Sequence, residues 1–222
     1  MPIKGILLDL DNTVYAYPPC DQAGQRAVIK WLSQKLAVSP RTITTSYNHA
    51  RHQIHRQLQG LAASHARVLY LQYVIEAVTG RTNVNLTLQA EKIFWQAYFE
   101  KMKLRPGIVP LLKLIRQHSL ILTLITDLTT HLQLAKIAKL RLDQYCDFVV
   151  TSEEAGHDKP HPAMITLALQ KMHLRSSEVI CIGDSLAKDK VVAQRLRIPF
   201  IQLTTQRQVA ATAKLIKHYL QS

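Results

Sequence analysis

The sequence predicts an α/β protein: a core built on a parallel sheet, interrupted by an inserted helical segment. Three apolar runs, GILLDLD (5–11), LILTLITD (120–127) and VICIGD (179–184), each end in polar residues and are each followed by a helical pattern. Continuous apolar character suits strands buried on both faces, and alternation with helices suits parallel pairing through right-handed crossovers. Residues 18–102 break this rhythm, with no strand pattern and several amphipathic helical stretches in succession.

Taken in order, the first run gives the opening strand, and the insertion follows. Ser39 and Pro40 form an N-cap and first-turn pair, opening a helix with Ile43, Tyr47, Ala50, Ile54 and Leu58 on one stripe. Gly80 and Thr87 punctuate the segment, and KIFWQAYFEKM closes it, with Phe94, Trp95, Tyr98 and Phe99 as core of the insertion. Prolines in YAYPP (15–19) and KLRPG (103–107) place the hinges there. Two parts result: 1–17 with 103–222, and 18–102. Helices are expected at about 107–118, 129–141, 161–173, 186–196 and 206–220, and CDFVV (146–150) and PFIQL (199–203) supply further strands.

Composition narrows the function classes. With 222 residues and 47% hydrophobic content, the chain can bury a substantial core. No apolar stretch approaches the roughly 20 residues needed to span a bilayer, and acids stand where a signal peptide would be cleaved, so a cytoplasmic protein is expected. Cys20, Cys146 and Cys181 form no C-x-x-C pair and no disulfide framework. Lys and Arg outnumber Asp and Glu by 28 to 15, which makes an anionic partner plausible: a phosphorylated metabolite, nucleic acid or a membrane surface. Yet Asp9, Asp11, Asp127, Asp158, Asp184 and Asp189 gather in or beside the segments at strand ends. A negative site in a positive body is the usual setting of a metal.

Ligands of an open parallel sheet bind beyond the carboxyl ends of its strands. Asp9 and Asp11 end the first strand, Thr126 and Asp127 the second, and Asp184 with Ser185 the third, while GHDKPHP (156–162) holds Lys159 in a proline-bounded loop. On an extended chain the first two carboxylates would share a face roughly 6–7 Å apart and repel, which calls for a cation or a proton. Oxygen ligands beside a lysine, with no His or Cys cluster at metal spacing, favour a hard cation such as Mg²⁺ over zinc. Phosphoryl transfer uses this set: Asp9 to attack phosphorus and Asp11 to carry the proton that the leaving alcohol needs. Taken singly, each residue has a plainer role. An Asp pair at a strand end can cap a helix, Asp127 can cap the next one at Thr129, Ser185 serves equally as an N-cap, and Lys159 alone would be a surface lysine.

In order, DLDNT, the strand-ending Thr126, Lys159 in DKPHP, and GDSLAKD resemble the four motifs of the haloacid dehalogenase superfamily, framing nearly the whole chain. The resemblance implies a Rossmann-like core in which Asp9 forms an aspartyl-phosphate and Asp11 acts as general acid, then as base for the hydrolytic water. Thr126 and Lys159 would hold the phosphoryl group. Mg²⁺ would be bound by Asp9, the backbone carbonyl of Asp11 and Asp184, with Asp189 helping directly or through water. The insertion is similar to the helical cap of the phosphoglycolate-phosphatase-like branch, which closes over the site and reads the leaving group. Asp11 favours a phosphatase over a dehalogenase, because halide displacement needs no leaving-group acid there. Two departures from the family pattern are Lys190 beside the site with Val192 at a common glycine position, and TDLTT where threonine-asparagine is commoner.

A phosphatase of a small phosphorylated metabolite is therefore expected. Its rivals are a phosphomutase using the same intermediate and a non-catalytic basic protein binding nucleic acid or protein. Nucleic acid is disfavoured, because the chain has no base-stacking aromatic platform or clear helix-turn-helix pattern. On the Ser39-capped helix, Asn48, His49, His52, His55 and Arg56 lie opposite the apolar stripe, and a solvated face is the expectation there.

Overall fold

The computed structural model describes residues 2–221. The chain forms two compact units, one from Met1–Ala16 with Lys103–Ser222 and one from Tyr17–Met102.

In the first unit, β1 (Gly5–Asp9) is followed, after the second unit has been inserted, by α5 (Ile108–Gln117), β2 (Ile121–Thr126), α6 (Thr130–Lys139), β3 (Phe148–Thr151) and a short α7 (Ser152–Ala155). Then come α8 (Ala163–Met172), β4 (Val179–Gly183), a wide turn at Leu186–Lys190, α9 (Val191–Arg195), β5 (Phe200–Gln202) and α10 (Gln206–Gln221). The strands pair in the order β3-β2-β1-β4-β5, all parallel. The expected strands at 146–150 and 199–203 are thus present but shorter: β3 is shifted by one or two residues and β5 is trimmed by one at each end.

Every residue of β1 and β4 is buried, as their unbroken apolar runs require of strands covered on both sides. Leu7, Ile125, Val150 and Cys181 share one face and pack under Met164, Ile165 and Ala168 of α8 and Val192 and Ala193 of α9. Val192, a departure from the family pattern, is therefore a core residue. By alternation Ile6, Leu8 and Leu124 turn to the opposite face, where α5 buries Leu111, Leu112 and Ile115. Each fully buried aliphatic side chain contributes about 1.5–3 kcal/mol. That layer makes the strand ends a rigid base for polar groups.

The second unit is helical: α1 (Tyr17–Leu36), α2 (Pro40–Gln57), a tight turn at Ala62–His65, α3 (Arg67–Thr79) and α4 (Val84–Lys101). Pro18 and Pro19, read from the sequence as hinge residues, lie in the first turn of α1, where a missing N–H loses no helical bond. The Ser39 hydroxyl accepts from Thr42 N at 3.1 Å, and Gly80 ends α3 in the left-handed region. Thr87 does not punctuate the segment; it is buried within α4, whose start is capped by Asn83. Helices α1 and α4 approach so closely at Gly24 that a Cβ there would stand 2.9 Å from the Phe94 ring. On α2, Asn48, His49, His52 and Arg56 are exposed, whereas His55 is half-buried and bonds the Tyr70 hydroxyl at 2.8 Å.

One ion pair is enclosed in this helical core. The Arg67 guanidinium, 5% exposed, donates to Asp21 Oδ1 at 2.8 Å, to the His65 carbonyl at 2.7 Å and to the Tyr17 hydroxyl. It also lies 5.4–5.8 Å from the ring centroids of Tyr70, Phe94 and Trp95. Removing one member of a buried pair strands the other. Asp21→Ala is expected to lower stability by about 3–5 kcal/mol in urea unfolding. A loss below about 1 kcal/mol, the scale of an exposed pair, would contradict this role.

Candidate active site

Strand register sets the site. Asp9, the last residue of β1, pairs in register with Ile125, so Thr126 stands one residue further along the neighbouring strand. On the other side Leu8 pairs with Ile182, which brings Gly183 level with Asp9 and Asp184 just beyond it. All of these lie at the carboxyl edge of the sheet. Thr126 is fully buried, its hydroxyl 3.4 Å from the Asp127 carbonyl.

Lys159, carried by the loop that follows α7, reaches this edge from the β3 side. Its ammonium donates to Asp9 Oδ1 at 2.6 Å and to Asp189 Oδ1 at 2.7 Å, with all three side chains almost wholly buried. Asp9 Oδ2 also accepts from the Thr13 hydroxyl at 2.6 Å. Asp189 Oδ2 accepts from Ser185 N at 3.0 Å across the Leu186–Lys190 turn. That turn folds its carboxylate onto Gly183, where an added Cβ would collide with Asp189 Oδ2. Glycine before Asp184 is thus required by a close approach. Ser185 is the N-cap of the turn, accepting from Lys188 N at 3.2 Å. Lys190 sits half-buried at the turn's end.

Asp184 is oriented from the β1 side. Asn12, in the left-handed region at φ 66°, donates from Nδ2 to Asp184 Oδ2 at 2.7 Å. Arg105 in turn donates to the Asn12 carbonyl at 2.9 Å. Neither residue stood out in the sequence beyond the motif that contains Asn12.

Asp11 follows a different course from the extended-strand expectation. The strand ends at Asp9, and the Leu10 carbonyl accepts from Thr13 N and Val14 N in a turn, so the two-apart, same-face spacing does not apply. Its carboxylate is held by Lys136 Nζ at 2.7 and 2.8 Å, by Gln133 Nε2 at 3.0 Å and by the Tyr15 hydroxyl. Gln133 and Lys136 are buried on α6 with Ile137. They occupy the i, i+3 positions of the stripe that Ile137 and Leu140 continue, and polar residues on an inward stripe were the signal that could have revealed them.

Asp127 does not cap α6 at Thr129. Thr130 N donates instead to Glu153 Oε2 at 2.7 Å, and Asp127 accepts from Lys159 N at 2.9 Å and from Lys188 Nζ at 2.7 Å.

The electrostatics separate the two aspartates. Burial, reinforced by the nearby Asp189 charge and only partly offset by Lys159, raises the Asp9 pKa to about 8. Burial also acts to raise Asp11, but the Lys136 charge and the hydrogen bonds from Lys136, Tyr15 and Gln133 outweigh it and hold Asp11 below the usual carboxylate range. Burial raises Asp184, partly offset by Asn12. Lys159 stays protonated despite its burial, because Asp189, Asp9 and Asp127 surround it.

Oxygen atoms of Asp9, Asp184 and Asp189 all lie within 4.8 Å of one another. One lysine balances only part of that charge, and an all-oxygen donor set beside it fits a hard divalent cation. The cluster is therefore able to hold a metal ion.

A parallel sheet with carboxylates and a buried lysine at its carboxyl edge is a Rossmann-like core with its polar groups where ligands of such sheets bind. Residues 6–203 match the family model of the haloacid dehalogenase-like hydrolases, and the chain belongs to that family. It is 38% identical over 186 residues to a ribulose-1,5-bisphosphate 5-phosphatase of Halopiger xanaduensis, covering 83% of this chain and 77% of that protein. It is 24% identical to a glyceraldehyde 3-phosphate phosphatase of Methanocaldococcus jannaschii, over 87% and 82% of the two chains. Among solved structures, a 2-haloacid dehalogenase from Pseudomonas syringae pv. Tomato superposes with TM-score 0.72 at 21% identity, over 90% and 86% of the chains. A HAD phosphatase from Thermococcus onnurineus gives 0.67 at 18%, over 96% and 98%. The chain is thus an enzyme, a haloacid dehalogenase-like hydrolase.

A metal held by this cluster would take Asp9 only as the carboxylate, so protons would compete with it below about pH 8. Affinity for Mg²⁺ should rise about tenfold per unit from about pH 6 and level off above about pH 8, with proton release on binding. Calorimetric titration in two buffers of different ionisation enthalpy checks this. Affinity independent of pH, with no proton release, would contradict the assignment.

Proposed function

We propose that this enzyme is a Mg²⁺-dependent phosphatase that hydrolyses a small phosphorylated metabolite, with Asp9 as nucleophile. The observation that carries the reading is the pairing of buried Asp9 with Lys159 beside Asp184 and Asp189. A nucleophile, a phosphate-binding cation and a metal-binding set there share one strand edge. The relatives named as sugar-phosphate phosphatases support the same chemistry.

In this reading Mg²⁺ is held by Asp9, Asp184, Asp189 and the backbone carbonyl of Asp11. When bound it neutralises developing charge on the phosphoryl oxygens. Asp9 attacks phosphorus, the bond to the leaving oxygen breaks, and that oxygen takes a proton from Asp11. Lys159 and Thr126 hold the equatorial oxygens. Asp11 then removes a proton from the water that cleaves the acyl phosphate, releasing inorganic phosphate. Its ion pair with Lys136 keeps Asp11 in the carboxylate form that the second half needs. For the first half it takes up a proton as the anionic phosphate enters and raises its pKa.

The inserted helical unit, acting as the cap, selects the leaving group. It contains no acidic residue between Asp21 and Glu76, while Arg26, Lys30, Lys35, Arg41, Arg51 and Arg56 fall in that interval. This balance favours an anionic leaving group, such as a sugar that keeps a second phosphate. Among the described residues no helix is long and apolar enough to cross a membrane, and the three cysteines are free, which supports a location in the reducing cytoplasm with the metabolite pool.

With Mg²⁺, free phosphate should be released from at least one of ribulose-1,5-bisphosphate, glyceraldehyde 3-phosphate and phosphoglycolate. Asp9→Asn should lower kcat by at least about 10³-fold, with an unchanged folded state by circular dichroism. Retained turnover in Asp9→Asn would remove the nucleophile assignment, and inactivity of the wild type on the whole panel would remove the substrate class.

A further inference from the structure

The chemistry above uses Lys159 but leaves unexplained what fixes it. Its side chain is shared between two carboxylates, and its loop runs from Gly156 to Pro162, outside any helix or strand. A flexible four-carbon stem on an irregular loop would not by itself hold an ammonium to one position. Asp127 answers this. Its Oδ1 accepts from the Lys159 backbone N–H at 2.9 Å, while its Oδ2 accepts from Lys188 Nζ at 2.7 Å. Asp127 follows Thr126 directly, so the same carboxylate is anchored to the end of β2.

The two partners of Asp127 come from the two loops whose side chains meet at Asp9. Lys159 belongs to the loop after α7. Lys188 belongs to the turn that carries Asp189, and its own N–H is fixed by Ser185. Asp127 therefore joins three strand-end segments at a point where Lys159 and Asp189 must stay 2.7 Å apart. Lys188 has a second effect. An ionised Asp127 beside a phosphate site would repel an anionic substrate, and the Lys188 ammonium cancels that charge locally.

We propose that Asp127 and Lys188 form a brace that positions Lys159 for phosphoryl binding, with Asp127 as a positioning residue and Lys188 as its counter-ion. The brace rests on the reading of Lys159 as a phosphoryl-binding residue. Displacement of a binding group by about 1 Å is enough to cost on the order of 10²-fold in rate.

The test compares the wild type with Asp127→Ala, Asp127→Asn, Lys188→Met and the Asp127→Asn/Lys188→Met double variant. Two readouts are taken on the full chain with Mg²⁺: hydrogen exchange of residues 156–162, and kcat and KM for p-nitrophenyl phosphate. Asp127→Ala should speed exchange of the loop at least about tenfold and lower kcat about 10- to 100-fold. Asp127→Asn keeps an oxygen to accept the Lys159 N–H and should recover most of both. Lys188→Met should resemble Asp127→Asn, and the double variant should be no worse than either single one, as expected of partners in one interaction. The brace is overturned if Asp127→Ala leaves loop exchange and kcat at wild-type values while only the melting temperature falls. Multiplying losses in the double variant would overturn the pairing with Lys188. A wild type inert on every phosphate ester, with the loop exchange changed as described, would uphold the brace and remove the phosphatase reading alone.

Discussion

One buried ammonium sets the terms for the rest of the site. Lys159 lies between Asp9 and Asp189, and none of the three has more than a few per cent of its surface in water. Isolated, each would be costly to bury, by several kcal/mol even after relaxation. With Asp9 as the carboxylate the three leave one negative charge unbalanced, and Asp184 adds another nearby. The sheet tolerates this because its adjacent strands β1 and β4 are covered on both faces and fix the backbone that carries the charges. The local surplus of negative charge is what a divalent cation can compensate. A basic chain with its acids concentrated at one edge is the sequence expression of the same arrangement.

The second organising feature is the separation of two aspartates only two residues apart. Asp9 stays at the strand end and is pushed up by burial and a like charge; Asp11 leaves the strand direction and is drawn down by Lys136, Tyr15 and Gln133. Pairs of carboxylates whose environments drive their pKa values apart are the usual means of giving one fold both a nucleophile or ligand and a proton carrier. Here the turn at Leu10–Val14 does the work, since it hands the Asp11 side chain to α6. Asn12, in the same turn, is left free to orient Asp184. One short loop thus serves three carboxylates.

Much of the core was legible because continuous apolar runs admit few alternatives to buried parallel strands, and because Asp9, Asp184, Asp189 and Lys159 all follow such runs or the loops between them. Residues that act through a neighbour were harder to read. Lys136 and Gln133 resemble the polar side of an amphipathic helix until the stripe they share with Ile137 is recognised as inward. Asp127 looks like a helix cap, and only the tertiary position of Glu153 shows that the cap is supplied from elsewhere. Arg67 lies in a helical run with nothing local to mark it as buried, because its partner Asp21 is 46 residues away. Thr87 reads as punctuation of the helical segment because threonine is a modest helix former, yet the Asn83 cap and the packing of α4 override that preference. Short strands β3 and β5 depart from their expected bounds because edge positions carry weaker periodicity than the fully buried centre.

The central claim is that Asp9 becomes covalently joined to phosphorus. Rapid acid quench during steady-state turnover with Mg²⁺, followed by peptide mass spectrometry, reads this directly. The account predicts one added phosphoryl group on the peptide containing Asp9, lost on exposure to hydroxylamine. Turnover without any phosphorylated peptide, or with the group on a residue other than Asp9, would contradict it.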